Sequence, residues 1–274
     1  NKLFKKVLLT RDASITDYLA ASYAAFKIDE SGRWPRYLDE AKQKFPTHKS
    51  TIELMRGQFL LEAGQFDEAK IILETLKENA LQDSRLLLLL KDYYLQTGEW
   101  ESLQVLLFQL EKNSLIKSDE LYELKVKCMK SEIAAHSEKV SKGKNKEPVD
   151  SLKAFWRQAP SSLRTDAGLI IVYVSNLIRL GANGDALKVI ERALTNKWND
   201  QLLYFYGERD FKKNSHQLAT AEKWLKTIKD SSALFLTLAR ISLRSELMEK
   251  AKNYYDLSIA SSPSAEAYLE LSLL

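Results

Sequence analysis

Glu62-Ala63-Gly64-Gln65-Phe66-Asp67-Glu68-Ala69 and Gln96-Thr97-Gly98-Glu99-Trp100-Glu101-Ser102-Leu103 are two versions of one phrase, and their glycines stand 34 residues apart. In each, a glycine closes one apolar-periodic segment, an aromatic follows, and a small or apolar residue (Ala69, Leu103) begins the next. A helix, a turn and a second helix fill an interval of that length. Such a unit cannot bury its apolar face alone, so copies must stack on one another.

The interval is the period of tetratricopeptide-like repeats. The chain is therefore expected to be all-α, a right-handed superhelical solenoid of helix–turn–helix repeats forming a single repeat domain over 1–274. About seven pairs can be placed by the small residue that opens each second helix and the proline or polar turn that closes it. The first is expected over Thr16–Ile28 and Trp34–Phe45, closed by Pro46, with Leu38 and Ala41 inward. The second spans Ser50–Ala63 and Phe66–Glu78, burying Gly57, Ala69, Leu73 and Leu76; the third spans Ser84–Thr97 and Trp100–Lys112, burying Tyr94, Leu103, Leu107 and Leu110.

The spacing then breaks. From Gly98 to Gly181, in the next clear copy Leu180-Gly181-Ala182-Asn183-Gly184-Asp185-Ala186, is 83 residues where two periods would take 68. The surplus is assigned to a Lys-rich loop near 139–148, between a long helix Ser118–Lys139 and a second helix Val149–Gln158 closed by Pro160. The fifth pair covers Asp166–Leu180 and Gly184–Asn196, and the irregular sixth covers Asp200–Phe211 and His216–Lys229. The seventh keeps the spacing through Leu238, Ala239, Ala251, Tyr255, Ser258 and Pro263, and a last helix begins near Ser264.

Forty-one basic and 37 acidic side chains leave a net charge of +4. That excess does not argue for nucleic acid, whose binders concentrate positive charge on one face. Cys128 is the only cysteine, so no intrachain disulfide forms. No run approaches the ~18–20 apolar residues that span a bilayer. At the amino end Leu3, Phe4, Val7 and Leu8 share a helical stripe among Lys2, Lys5 and Lys6, which fits the second helix of a truncated repeat or a basic membrane-proximal segment. Starting at Asn1 and stopping at Leu274 within a helical pattern, the chain reads as a fragment with any targeting or anchoring segment upstream.

Motifs for chemistry are missing: there is no Gly-rich phosphate loop, no Gly-x-Ser-x-Gly, no His-Glu-x-x-His and no paired-cysteine zinc spacing. No catalytic residue and no metal site is expected. His48, His136 and His216 fall in different repeats and read as solvated side chains. Cys128 and Met129 are soft enough to bind haem iron, but with no histidine at a partner spacing they read as packing residues. Lys139, Lys142, Lys144 and Lys146 read as a solvated loop.

Arrays of this kind bind partners along the wall formed by the first helix of each pair. Repeat register puts Tyr23, Gln58, Asp92, Ser175 and Arg240 at one wall position, and Lys27, Glu62, Gln96, Arg179 and Arg244 one turn on. The wall is thus expected to be mixed at the amino-terminal end and basic at the other. If this end reads anions, Arg179, Arg240 and Arg244 are expected to share one concavity, free of acids, and to grip carboxylate or phosphate; the alternative is that they are solvated or pair with neighbouring acids.

Two stretches carry a resemblance. One is Tyr18-Leu19-Ala20-Ala21-Ser22-Tyr23-Ala24-Ala25 with Arg36-Tyr37-Leu38 and Ala41; the other runs from Ala221-Glu222-Lys223-Trp224-Leu225-Lys226 through Leu236-Thr237-Leu238-Ala239-Arg240 to Ser262-Pro263-Ser264-Ala265-Glu266-Ala267-Tyr268-Leu269-Glu270-Leu271. Together they resemble the HemY family of bacterial inner-membrane proteins, over most of the chain and least across residues 130–165. The resemblance implies upstream membrane helices, a repeat domain on the cytoplasmic side, and a scaffold for a protein partner, an enzyme of late haem biosynthesis. It supplies no catalytic motif and no cofactor. Haem or porphyrin held directly in the groove, and a general envelope-assembly adaptor, are the alternative readings.

Overall fold

A computed structural model describes residues 13–28, 32–80, 83–138 and 147–274. These form sixteen α-helices and one 3-10 turn, with no strand among the described residues. The amino-terminal stripe over 1–10 and the lysines at 139, 142, 144 and 146 lie outside the described residues. By its contacts the chain divides into two compact units, Asn1–Cys128 and Met129–Leu274.

The first unit contains α1 (Ile15–Lys27), α2 (Trp34–Lys44), the 3-10 turn Pro46–His48, α3 (Lys49–Glu62), α4 (Phe66–Ala80), α5 (Ser84–Thr97) and α6 (Trp100–Lys112), and ends within α7 (Ser118–Glu138). Each odd helix up to α5 packs on the even helix after it, and α3 also packs on both α1 and α5. First helix thus lies against first helix, as in a stacked array. The inward residues expected from the spacing, from Leu38 and Ala41 to Leu107 and Leu110, are buried. In α5 the run Leu86 to Leu90 wraps round the helix: Leu86, Leu87 and Leu90 enter the core, while Leu88 and Leu89 remain half-buried on another side. Burying each core leucine contributes about 1.5–3 kcal/mol.

The second unit adds α8 (Glu147–Gln158), the one-turn α9 (Ser161–Arg164), α10 (Ala167–Arg179), α11 (Asn183–Asn196), α12 (Asp200–Glu208), α13 (Asn214–Trp224), α14 (Ser232–Arg244), α15 (Met248–Ser261) and α16 (Ala265–Ser272). Here α10 packs on α12 and α12 on α14, again first helix on first helix. Side-chain oxygens of Asp166, Asn199, Ser231 and Ser264 accept backbone N–H bonds at the starts of α10, α12, α14 and α16. Each satisfies a donor that the first turn of a helix otherwise leaves unpaired.

The recurring phrase owes its glycine to backbone geometry. Gly64, Gly98 and Gly181 have φ of 73°, 72° and 78°, in the left-handed region that an L side chain disfavours. That turn lets the next N–H reach back along the helix: Gln65 to the Leu60 carbonyl at 2.8 Å, Glu99 to Tyr94 at 3.1 Å and Ala182 to Leu177 at 2.8 Å. These bonds satisfy carbonyls at the helix end and reverse the chain into the second helix. Glu246 takes the same conformation at φ 60°, with Leu247 N–H donating to the Ser242 carbonyl at 3.0 Å. The seventh pair keeps the turn without its glycine.

Three expectations are corrected. Residue 148 does not end a loop: α8 begins at Glu147, with Pro148 in the first turn, where a missing N–H costs nothing. After Pro160 comes the unforeseen turn α9. In the sixth pair the first helix ends early because the backbone becomes extended at Arg209 (φ −90°, ψ 135°) and left-handed at Lys212 (φ 60°), and the second runs from Asn214 only to Trp224. The carbonyls this break exposes are taken up by side chains. Gln217 donates from Nε2 to Tyr206 O at 2.5 Å and Arg209 O at 3.2 Å.

Candidate functional site

In the first unit the expected wall residues converge. Gln58 and Glu62 on α3, and Asp92 and Gln96 on α5, line one open groove of about 480 Å³ between the two first helices. Its floor is apolar, from Leu54, Met55 and Leu61 of α3 and Leu88 and Leu89 of α5; Arg85 stands at one end. The rim is ordered: Gln58 Nε2 donates to Glu62 Oε1 at 3.0 Å, and Lys27 Nζ of α1 donates to Glu62 Oε2 at 2.8 Å. The hydrogen bond from Lys27 holds the Glu62 carboxyl below its ordinary range against the opposing effect of burial. Tyr23, also on α1, is exposed and leans on Phe59, with ring centroids 6.2 Å apart. Helical pitch explains the line-up: residues one turn apart on each first helix repeat on one face, and stacking sets the faces side by side.

The second unit does not carry the anion grip expected there. Arg240 and Arg244 do line one cavity, of about 360 Å³, with Glu208, Tyr255 and Glu270. Arg179 is not among its lining residues; it is exposed on α10 and donates to Asn176 Oδ1 at 3.1 Å. Arg240 is only 7% exposed and is already engaged by acids through Nε and Nη2. Its Nε donates to Glu270 Oε2 at 3.0 Å, its Nη2 to Glu270 Oε1 at 2.7 Å, and a further bond goes to Glu266. The guanidinium also lies over the Tyr204 ring, 4.4 Å from its centroid. Burial alone would lower the Arg240 pKa, but Glu270 and its neighbours raise it instead. A guanidinium removed from water needs such carboxylates, and the four-residue spacing of Glu266 and Glu270 on α16 presents both on one helix face.

Arg244 is committed differently. Its Nη1 donates to Gly207 O at 2.6 Å and its Nη2 to Arg209 O at 3.3 Å, so it caps the broken end of α12 together with Gln217. A cation suits the partial negative charge of a helix C-terminus. Burial lowers its pKa. The expectation that Arg240 is free of acids is therefore overturned, while Arg244 is taken up by backbone carbonyls rather than by acids. The two arginines fasten α12, α14 and α16 to one another.

Three residues of this arrangement were not found by sequence reasoning. Gly207 lets α12 approach α14 so closely that a β-carbon would lie 2.9 Å from Thr237 Oγ1 and 3.0 Å from Thr237 Cα. A glycine inside a helical segment, where alanine costs less, was the available signal. For Glu266 and Glu270 it was Arg240 in the apolar run of α14, where a buried cation demands carboxylates from elsewhere.

No histidine, cysteine or acidic cluster suited to a metal exists among the described residues. His136 Nδ1 lies 3.2 Å from Ser151 Oγ, and His216 Nε2 lies 3.3 Å from a Glu191 carboxylate oxygen. Cys128 and Met129 are 2% and 5% exposed, so both thiol and thioether sit in packed interiors. Among the described residues no helix is long and apolar enough to cross a membrane.

Helix pairs with a shared turn, stacked first helix on first helix, define the chain as an all-α helical-repeat solenoid. No family model and no curated protein matches it. Solved structures resemble it at low identity. A tetratricopeptide repeat protein from Parabacteroides merdae is 13% identical, aligned over 94% of this chain and 96% of that one, with a TM-score of 0.39. A chain of the APC/C hetero-tetramer Cut9-Hcn1 is 13% identical over 99% of this chain and 51% of its own length, with a TM-score of 0.36. The P58(IPK) TPR domain is 14% identical over 95% and 87%, with a TM-score of 0.29.

Proposed function

We propose that this chain is a non-catalytic repeat scaffold that holds a protein partner along the first-helix face of its amino-terminal unit. The observation that carries the reading is the groove between α3 and α5, with an apolar floor and a rim of Gln58, Glu62, Asp92 and Gln96. An apolar surface edged by oriented polar groups suits a peptide segment or helix, whose side chains supply burial while the rim fixes register. Gln58, Asp92 and Gln96 are exposed, so their polar atoms are open to a partner.

The finer reading names the partner as an enzyme of late haem biosynthesis, met at a bacterial inner membrane, with the repeat domain on its cytoplasmic side and membrane helices upstream. Its support is the resemblance to the HemY family through Tyr18–Ala25 and Ser262–Leu271. Partner co-purification with the full-length protein, compared with a Gln58→Arg/Asp92→Arg variant, tests both levels. The reading expects one enzyme of that pathway to be retained by the wild type and lost from the variant. Equal retention by both removes the groove; a retained partner from another pathway removes the haem assignment. Titration with haemin is expected to give no Soret shift, and a saturable shift would favour direct ligand carriage instead.

A further inference from the structure

A second cavity lies in the second unit, and none of the expected wall residues lines it. Lys153, Arg157 (α8), Arg164 (α9), Lys188 and Arg192 (α11) surround a cavity of about 430 Å³ whose only acidic lining residue is Asp185. Lys153 Nζ is held by Asp185 Oδ2 at 2.5 Å. The other four cations are exposed, and no described carboxylate pairs with them. The floor is apolar: Trp156 and Tyr173 stack with centroids 4.3 Å apart and planes 5° apart, and Ile170 and Val189 also line it. Burial, and then the nearby Asp185, pushes the Tyr173 hydroxyl up to about 12, so this floor stays neutral across the physiological range.

Four cations with no carboxylate partner among the described residues repel one another around the cavity, and an entering anion offsets that repulsion by attracting each of them. The apolar floor adds a demand that a bare inorganic anion does not meet. The cation spacing is informative as well. On α11, Arg192 follows Lys188 by one helical turn, a step of about 6 Å along the axis. Alternate side chains of an extended peptide repeat at about 6.6–6.8 Å. We infer that this cleft binds an extended segment of a protein partner in which acidic residues at alternate positions flank a bulky apolar side chain. The carboxylates meet Arg157, Arg164, Lys188 and Arg192, and the apolar group covers Trp156. This surface stands independently of the groove in the first unit.

Selection from a random-peptide display library on the folded chain tests the inference, with the enriched peptides synthesised and measured by fluorescence anisotropy. The expected consensus has alternating acids beside an aromatic or leucine. Its binding should decline with salt and weaken about tenfold or more in Arg157→Glu/Arg192→Glu, as two exposed pairs turn from attraction to repulsion. Lys188→Glu alone should weaken it less, and circular dichroism checks that both variants fold. Acid-poor enriched peptides, or acidic ones bound equally by the double variant, would overturn the inference. So would inorganic pyrophosphate binding more tightly than the peptides and displacing them. Peptides lost in Gln58→Arg/Asp92→Arg but retained in the double variant would overturn the cleft and leave the first-unit groove standing.

Discussion

Replacing Gly181 by alanine and Glu246 by glycine should move the stability of the second unit in opposite directions. Both residues close a first helix in the left-handed region, at φ 78° and 60°. Both are followed by an N–H that reaches back to the helix, Ala182 to Leu177 at 2.8 Å and Leu247 to Ser242 at 3.0 Å. A β-carbon on Gly181 would meet no atom within 4 Å, so alanine there changes the backbone term alone. The left-handed conformation costs an L residue roughly 1–2 kcal/mol. Alanine recovers about 0.4–1 kcal/mol by restricting the unfolded chain. The difference is a net loss of about 1 kcal/mol for Gly181→Ala. Glu246→Gly reverses each contribution and should gain a similar amount. Gly181→Asn should fall between alanine and the wild type, because asparagine visits this region more readily. Urea unfolding at constant slope gives the comparison, read as a shift in midpoint. An unchanged midpoint for Gly181→Ala, or a lowered one for Glu246→Gly, would show that the shared turn is not what sets these helix ends.

Arg240→Glu should destabilise the α14–α16 region by about 3 kcal/mol, the low end for breaking a buried pair, since Glu266 retains some solvent. Hydrogen exchange should quicken across α16, and unaltered protection there would refute the role given to Arg240. Gly207→Ala should cost about 1–3 kcal/mol by overpacking against Thr237, whereas a melting temperature equal to the wild type would contradict the close approach. Stability should also fall at alkaline pH. Burial raises the hydroxyl pKa values of Tyr173 and Tyr254 to about 12. Between the ordinary tyrosine value near 10 and that range, the unfolded chain has released protons that the folded one keeps, so unfolding becomes easier as pH rises. Phenolate absorbance should therefore rise together with the loss of helix, and Tyr173→Phe should blunt the dependence.

The repeat was legible because its signal is local. Gly64, Gly98 and Gly181 each mark a backbone turn that few other residues adopt, and the apolar spacing round them follows helical pitch. The same pitch placed Gln58 and Asp92 on one face, with Glu62 and Gln96 one turn on, and stacking then made that face a groove. What stayed hidden depends on partners distant in sequence. Arg240 and Arg244 hold the wall positions, yet Glu270 is 30 residues from the first and Gly207 is 37 from the second. No local pattern says that those groups meet. The basic cleft was hidden for a related reason. The cations of α8 and those of α11 lie about 30 residues apart and carry no local signal of one another, and the contact of Lys153 with Asp185, 32 residues on, is what brings the two helices to one cavity.

The central claim, that a partner lies along the first-helix groove of the amino-terminal unit, is tested most directly by position-resolved photocrosslinking in living cells. A photoreactive phenylalanine analogue would be placed singly at Gln58, at Asp92, and at the exposed residues Ile71 and Val105 on the second helices α4 and α6. The account predicts one discrete adduct, shared by Gln58 and Asp92 and absent at Ile71 and Val105. Adducts confined to Ile71 and Val105, or no adduct from either groove position, would contradict it.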